Sequence, residues 1–291
     1  MRRPAILDTD IGSDVDDILA LVLLARGPEV DLIGVTTVYG DTLLRARMTR
    51  HVLDQMGRSA VPIGIGARET LTGRPVWWAG HEGQGLPDLD KDQIDADHTA
   101  TALLRQAAAE HPGQLDLFAI GPLTNVAEAI SADESFAASL HHLYIMGGAF
   151  WMERAEHNIR CDPEAADVVF RSGIPMTICG LDVTLRVKLR ETDLPRIGEA
   201  ADGVGPMLED QIRRWWEFTG ANENPLHDPL AVLAALRPEL FRFEPGEVRV
   251  ELDGADAGRT RLELRDAGAV RIAADIDVEA AEQEIVGRLV G

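Results

Sequence analysis

The chain has 291 residues, 45% of them hydrophobic and 26% charged, with a formal net charge of −21. That is the balance of a globular protein with room for one large core. So acidic a surface repels nucleic acid and anionic membranes, which excludes both as expected partners and leaves a neutral or cationic small molecule.

The opening, MRRPAILDTD, carries two arginines and no long apolar run, so no secretory signal is expected. No apolar run reaches the ~18 residues of a membrane span. Cys161 and Cys179 form neither a disulfide framework nor a CxxC pair, so a reducing, cytoplasmic location is expected.

Residues 5–26, AILDTDIGSDVDDILALVLLAR, organise the rest. Ala5-Ile6-Leu7 reads as a buried first strand, Gly12 as a tight turn, and a helix is predicted from Ser13 or Asp14 through the apolar segment Ile18–Leu24. Asp8, Asp10, Asp14, Asp16 and Asp17 crowd the junction. Helix capping and the helix dipole account for two of the five. Asp8 and Asp10 lie at or just past the strand end, where neither applies. Like charges so close repel, and a hard cation such as Ca²⁺ or Mg²⁺, which takes carboxylate oxygens, relieves the repulsion. In open α/β sheets, ligands bind at the carboxyl ends of strands, where this turn falls.

Further along, Val30–Val38 reads as a second buried strand, Tyr39-Gly40-Asp41 as a turn, Thr42–Met56 as a helix and Val61–Ile65 as a short strand. A long irregular stretch from Gly66 to about Asp95 follows, with Trp77-Trp78 and GHEGQG at Gly80–Gly85. Loops of this length are usually functional or mobile. The two tryptophans beside His81 fit a pocket for a flat ring and fit a satellite core equally well. Asp97–Glu110 is predicted helical and Leu115–Ile120 a strand, running into the sharp turn GPLTN at Gly121–Asn125. Leu143–Met146 is a strand ending in Gly147-Gly148, where the absence of a side chain admits close approach. Asp162-Pro163 is a cap and first-turn pair for a helix to Phe170, and Ile174–Cys179 a strand ending in GLDVT at 180–184. Glu191–Gly220 is predicted helical, with Trp215-Trp216 read as packing, and NPLHD leads into a buried helix, Pro229–Leu236. Strands are expected at Glu247–Leu252, Arg259–Leu264 and Gly268–Ile272, and a closing helix at Val278–Leu289. Strands alternating with helices predict one α/β domain over residues 1–291: an open, mostly parallel sheet flanked by helices, with a small β-rich C-terminal addition.

Polar residues gather at predicted strand ends: the aspartate cluster, Asp41, Thr124-Asn125, Glu156, Asn158, Asp182 and His227-Asp228. In a parallel sheet these ends share one edge, which makes a pocket rich in oxygen and poor in thiols, suited to Ca²⁺ or Mg²⁺ and not to structural zinc. DTDIGSDVDD, GPLTN, MGG followed by AEHN and DPEAA, GLDVT and HDP, in this order from residue 5 to about 235, resemble the inosine–uridine nucleoside hydrolases. The resemblance implies Ca²⁺-dependent hydrolysis of the N-glycosidic bond of a ribonucleoside to free base and ribose, in a homodimer or homotetramer. It implies Ca²⁺ ligands at Asp10, Asp17, Asp228 and the backbone carbonyl of Thr124. It makes Asp16 the general base toward a metal-bound water, Glu156 and Asn158 holders of ribose hydroxyls, and His227 a proton donor near the leaving base.

The chain departs from the family at three places. The turn after Gly12 is two residues longer, which makes Asp14 an alternative base. Asp41 stands where the family usually has Asn and is expected to bind a sugar hydroxyl, while His81 is a further candidate for substrate binding. The loop between MGG and AEHN is short and lacks an asparagine often found there. Two rival readings follow from the residues alone. A haloacid dehalogenase-type phosphatase would use Asp8 and Asp10 of the DxD, but needs a strand-end lysine, and Lys91 and Lys188 are the only two lysines. A non-catalytic riboside- or Ca²⁺-binding module is the other, although the EF-hand pattern fails at Gly12.

Overall fold

The structure, a computed structural model, describes residues 2–91, 94, 98–200 and 203–291. Its strands are β1 (Arg3–Thr9), β2 (Val30–Thr37), β3 (Ile63–Ile65), β4 (Leu115–Ala119), β5 (Leu140–Met146), β6 (Met176–Cys179), β7 (Lys188–Arg190), β8 (Glu223–Pro225), β9 (Phe241–Val250), β10 (Thr260–Leu264) and β11 (Val270–Ile276). Nine of them form one sheet in the order β10-β9-β11-β6-β5-β4-β1-β2-β3, and β7 and β8 pair separately. From β11 to β3 every pairing is parallel, with Leu7 between Val35 and Phe118, and in this sheet only β9 runs the other way, pairing antiparallel with both β11 and β10. The C-terminal strands therefore extend the main sheet: β11 lies alongside β6.

The central strands read as continuous apolar runs because both faces are covered. Their side chains alternate. Leu7, Phe118 and Tyr144 enter one core and Ile6, Leu117 and Leu143 the other. The first core is closed by α1 (Asp16–Arg26), α11 (His227–Leu236) and α12 (Val278–Val290). The second is closed by α3 (Ala100–Glu110), α4 (Thr124–Ala132) and α7 (Pro163–Phe170). The remaining helices are α2 (Thr42–Gln55), α5 (Phe136–Ser139), α6 (His157–Cys161), α8 (Leu181–Thr184), α9 (Leu194–Gly198) and α10 (Gly205–Thr219). The packing of α1 against α11 brings both helix N-termini to the carboxyl edge of the sheet.

Several boundaries differ from expectation for local reasons. Helix α1 begins at Asp16, because Ser13, Asp14 and Val15 are used by the turn that follows Gly12, whose φ is 112°. Strand β3 begins after Pro62, which has no N–H for the ladder. The predicted start of the third helix at Asp97 lies outside the described residues; α3 begins at Ala100, capped by the Thr99 hydroxyl. The stretch predicted helical over Glu191–Gly220 is a 3₁₀ turn followed by α9 and α10, with Gly203 between them at φ 82° and residues 201–202 outside the described set. The Gly66–Lys91 segment contains neither helix nor strand, as its composition predicts.

Asn125 of the GPLTN turn ties the strand ends together. Its amide donates to Asp8 Oδ1 (2.7 Å) and the Thr37 carbonyl (3.0 Å), and its oxygen accepts from Ala67 N–H (2.8 Å). Asn125 and its bonds to Asp8 and Thr37 are buried, so Asn125→Ala leaves several polar groups without partners. At about 1–3 kcal/mol for each buried group left unsatisfied, the expected loss is about 2–4 kcal/mol, read as a lower urea midpoint at unchanged slope. An unchanged midpoint would show that water takes over these bonds.

Candidate active site

Asp10 follows β1, Asp16 and Asp17 form the first turn of α1, and Asp228 lies in the first turn of α11. All four are buried. Carboxylate oxygens of Asp16, Asp17 and Asp228 lie within 4.8 Å of one another. The Asp228 N–H donates to Asp16 Oδ2 (3.2 Å), and the Thr9 hydroxyl donates to Asp17 Oδ1 (2.5 Å). Burial, and then mutual repulsion, holds the carboxyls of Asp16, Asp17 and Asp228 well above the usual range. Asp10 is raised by burial as well, with the Arg45 charge opposing it. Asp14, half-buried beside them, is pushed by burial to about 7.

These aspartates share a cavity of about 500 Å³ with Glu156, Asn158 and His227. Glu156 caps α6, accepting from the N–H groups of Gly148 (3.1 Å), Asn158 (2.8 Å) and Ile159 (3.1 Å). Asn158 donates to the carbonyls of Ile120 (2.8 Å) and Met146 (3.2 Å), which commits its amide hydrogens and leaves its oxygen as an acceptor. His227 Nδ1 is 2.7 Å from Thr184 Oγ1, and burial lowers the ring to about 4, so it is neutral at neutral pH. His81 lies in an adjoining cavity of about 290 Å³. Its ring packs against Phe218 (4.1 Å between centroids) and Trp215 (5.7 Å), and Asp14 and Trp215 line both cavities.

Three of the residues named from the sequence lie away from the cavity wall. Asp41 is outside the cavity wall: its carboxylate caps α2 by accepting from Leu44 N–H (3.1 Å). Thr124 is also outside it. Its hydroxyl donates to Asp162 (2.7 Å), and as the first residue of α4 its carbonyl points along the helix, away from the strand edge. Ile120, just past the end of β4, does line the cavity. Asp8, the nucleophile of the phosphatase reading, is fully buried, bonded to Thr36 and Asn125 and absent from the wall.

Other residues join the cavity walls, among them Trp77 and Trp215. Trp215 lines both cavities, whereas its neighbour Trp216 is buried and donates to Asn224 Oδ1 (2.8 Å). Trp77 lines the main cavity and meets His157 edge-on, while Trp78 faces Arg45. Ser13, Arg154 and Arg160 complete part of the wall. A strand's last residue before a Gly-Pro turn is the signal that points to Ile120; a single sequence holds no comparable signal for the arginines.

The reactive groups of the main cavity's wall are carboxylates, the two imidazoles of His157 and His227, and the Ser13 hydroxyl; among the described residues the wall has no thiol and no lysine. Such a wall, at the carboxyl edge of a parallel sheet, offers oxygens of the kind that hold a hard cation or take a proton. Comparison with known proteins carries this to the family. Residues 5–283 match the model of the inosine-uridine preferring nucleoside hydrolases, and the chain belongs to that family. It is 35% identical over 275 residues to uridine nucleosidase 1 of Arabidopsis thaliana, covering 89% of this chain and 81% of the relative. It is 33% identical over 274 residues to the pyrimidine-specific ribonucleoside hydrolase RihA of Photobacterium profundum, covering 88% and 86%. Among solved structures, a plant nucleoside hydrolase superposes with a TM-score of 0.91 at 30% identity over 100% of both chains. A purine-preferring ribonucleoside hydrolase from Gardnerella vaginalis gives 0.87 at 27% over 99% and 98%. The chain is accordingly a hydrolase of the N-glycosyl bond of ribonucleosides, which sets aside the phosphatase and the non-catalytic binder. No described helix is long and apolar enough to cross a membrane.

Proposed function

We propose that the chain releases ribose and free base from ribonucleosides with the help of one divalent cation, Ca²⁺, held by the aspartate cluster. The observation that carries this reading is the group of buried, mutually repelling oxygens of Asp16, Asp17 and Asp228 within 4.8 Å of one another. A wall of oxygen donors without thiols fits a hard cation. In this reading Asp10, Asp17 and Asp228 hold the ion with the Ile120 carbonyl, which replaces that of Thr124. The cation supplies Lewis-acid activation of water and orientation of the sugar.

Asp16 takes the proton from the attacking water. It is the member of the close group left over when Asp17 and Asp228 serve as ligands. Glu156 and the Asn158 oxygen accept from ribose hydroxyls. Cleavage of the C–N bond builds positive charge on the sugar, and the surrounding carboxylates stabilise it where it develops. His227, neutral and hydrogen-bonded to Thr184, donates a hydrogen bond toward the departing base. The His81–Trp215–Phe218 group offers flat apolar surfaces for that base.

Relatives named for uridine and pyrimidine ribonucleosides make uridine the first substrate to test. Ribose release from a panel of purine and pyrimidine ribonucleosides is expected to require both the cation and Asp10. It should stop with a Ca²⁺ chelator, return with added Ca²⁺, and be absent in Asp10→Ala. Release that continues in chelator would overturn the metal reading and leave the hydrolase intact.

A further inference from the structure

Among the described residues Arg45 is the largest side chain that is fully buried, and it sits behind the aspartate turn. Its Nη1 donates to the carbonyls of Asp10 and Ile11 (the latter at 2.7 Å), its Nη2 to Ser13 Oγ (3.0 Å) and its Nε to the Tyr39 carbonyl (2.7 Å). Its guanidinium carbon lies 4.9 Å from the centre of the Trp78 ring. One planar fork thus grips both sides of the acidic turn, including the longer segment after Gly12. A lysine cannot do this, since it presents a point charge with no fixed geometry.

From Arg45, three links run to the loop that carries Trp77 and His81. The first is the stacking on Trp78. The second passes through Ser13, whose hydroxyl donates to Glu82 Oε1 (3.3 Å); Glu82 also accepts from the N–H groups of Ala79 (3.0 Å) and Gly80 (2.7 Å). The third passes through Tyr39, held at φ 68°, an uncommon conformation for a tyrosine; its phenol oxygen accepts from Trp77 N–H (2.7 Å). Gly40 is part of the same arrangement, because a Cβ there would meet the Trp78 ring at 2.6 Å.

We propose that Arg45 is a positioning residue that couples the carboxylate site to the Trp77–Glu82 loop, so that divalent-cation binding and nucleoside binding favour each other. The proposal rests on the reading that the aspartates hold a cation. Ordering the turn around the ion holds Ser13 and the Asp10 and Ile11 carbonyls still. The same fork then holds the loop, and by linkage an ordered loop strengthens the ion's site.

The test uses the full chain, with Ca²⁺ affinity read by calorimetry and by tryptophan fluorescence, and uridine KM measured at saturating Ca²⁺. In the wild type, the heat and the fluorescence change are expected to report one Kd. Arg45→Lys keeps the charge beside the carboxylates and removes the fork, so its effect on Ca²⁺ affinity reads position alone. A weakening of about 5- to 150-fold is expected, the usual range of site-to-site coupling. Ser13→Ala removes the hydroxyl through which Arg45 Nη2 reaches Glu82, and leaves the fork's bonds to the Asp10, Ile11 and Tyr39 carbonyls. It should keep the Ca²⁺ Kd within about twofold while losing part of the fluorescence change and raising the uridine KM about fivefold or more, near the lower end of that range. If Arg45→Lys does not fold, Ser13→Ala decides alone. Wild-type Ca²⁺ affinity in Arg45→Lys, or wild-type fluorescence and KM in Ser13→Ala, would overturn the coupling. A wild type that binds no Ca²⁺ in calorimetry would overturn the cation reading itself, which neither variant result does.

Discussion

Asp16→Asn will lower kcat for uridine hydrolysis by about 10²- to 10⁴-fold, the usual worth of a positioned general base, while Ca²⁺ still binds. Asparagine keeps the shape and the acceptor oxygen that receives the Asp228 N–H, so the start of α11 stays in place. What is lost is the capacity to take a proton. Asp14→Asn is the paired control. Asp14 is half-buried, its Oδ1 accepts from Val15 N–H (2.5 Å), and it does not belong to the close group of Asp16, Asp17 and Asp228. Its replacement is expected to cost less than about tenfold, below the range of a general base. Burial pushes Asp14 to about 7, so it titrates in the working range and earns the control. A full loss in Asp14→Asn with a mild one in Asp16→Asn would reverse the assignment and make Asp14 the base. Loss of Ca²⁺ binding in Asp16→Asn would make Asp16 a ligand.

Much of this site was legible because strand-end chemistry is local. A short apolar strand followed by crowded aspartates marks both a buried β1 and a group of charges that folding alone does not ask for. Glu156, Asn158 and Asp228 were found the same way, and all three line the cavity with Asp10, Asp16 and Asp17. Where the structure places a residue away from the cavity, that residue had two suitable jobs. Asp41 suits a sugar hydroxyl, but it also stands one residue before α2 and does the capping. Thr124 suits a carbonyl ligand until the helix is seen to start on it, which turns the carbonyl away and leaves Ile120 at the edge. Trp215 and Trp216 are adjacent and so point to different sides of α10; periodicity cannot say which side meets a cavity formed by a loop more than a hundred residues earlier. Arg45 was invisible for a related reason. In sequence it is one of several arginines on α2, and only the return of the β1 turn over that helix buries it. Sheet order carries the same lesson. The C-terminal strands were expected from their alternation, but their place beside β6 depends on pairing across the chain.

Chelating the cation will make the protein's thermal stability fall as pH rises, and Ca²⁺ will remove most of that fall. Asp16, Asp17 and Asp228 have folded-state pKa values raised above the ordinary 3.8. Between the ordinary and the raised values, the folded chain therefore binds more protons than the unfolded one. By linkage, the stability from these groups is present below the unfolded value and lost as pH rises through the folded ones. His227 and His142 are shifted the other way, to about 4 from 6.5, so they favour the fold as pH rises only up to about 6.5. Above about pH 6.5 His227 and His142 no longer contribute, so this window leaves the fall due to the raised carboxylates. Asp8, raised to about 7 and outside the cavity wall, adds a falling component that the cation does not reach. The comparison is therefore between chelated and Ca²⁺-loaded protein at each pH. At a thousandfold excess over Kd the cation adds about 4 kcal/mol, on the order of 10 °C in melting temperature for a chain of this size. The gain should grow with pH, because protons no longer have to leave for the ion to bind. Asp17→Asn gives the opposite signature: it removes one of the repelling charges, so in chelator above pH 6.5 it should melt higher than wild type, and Ca²⁺ should stabilise it far less. Scanning calorimetry across this window decides the matter. Equal melting temperatures with and without Ca²⁺ would mean that the buried carboxylates keep their protons and hold no ion.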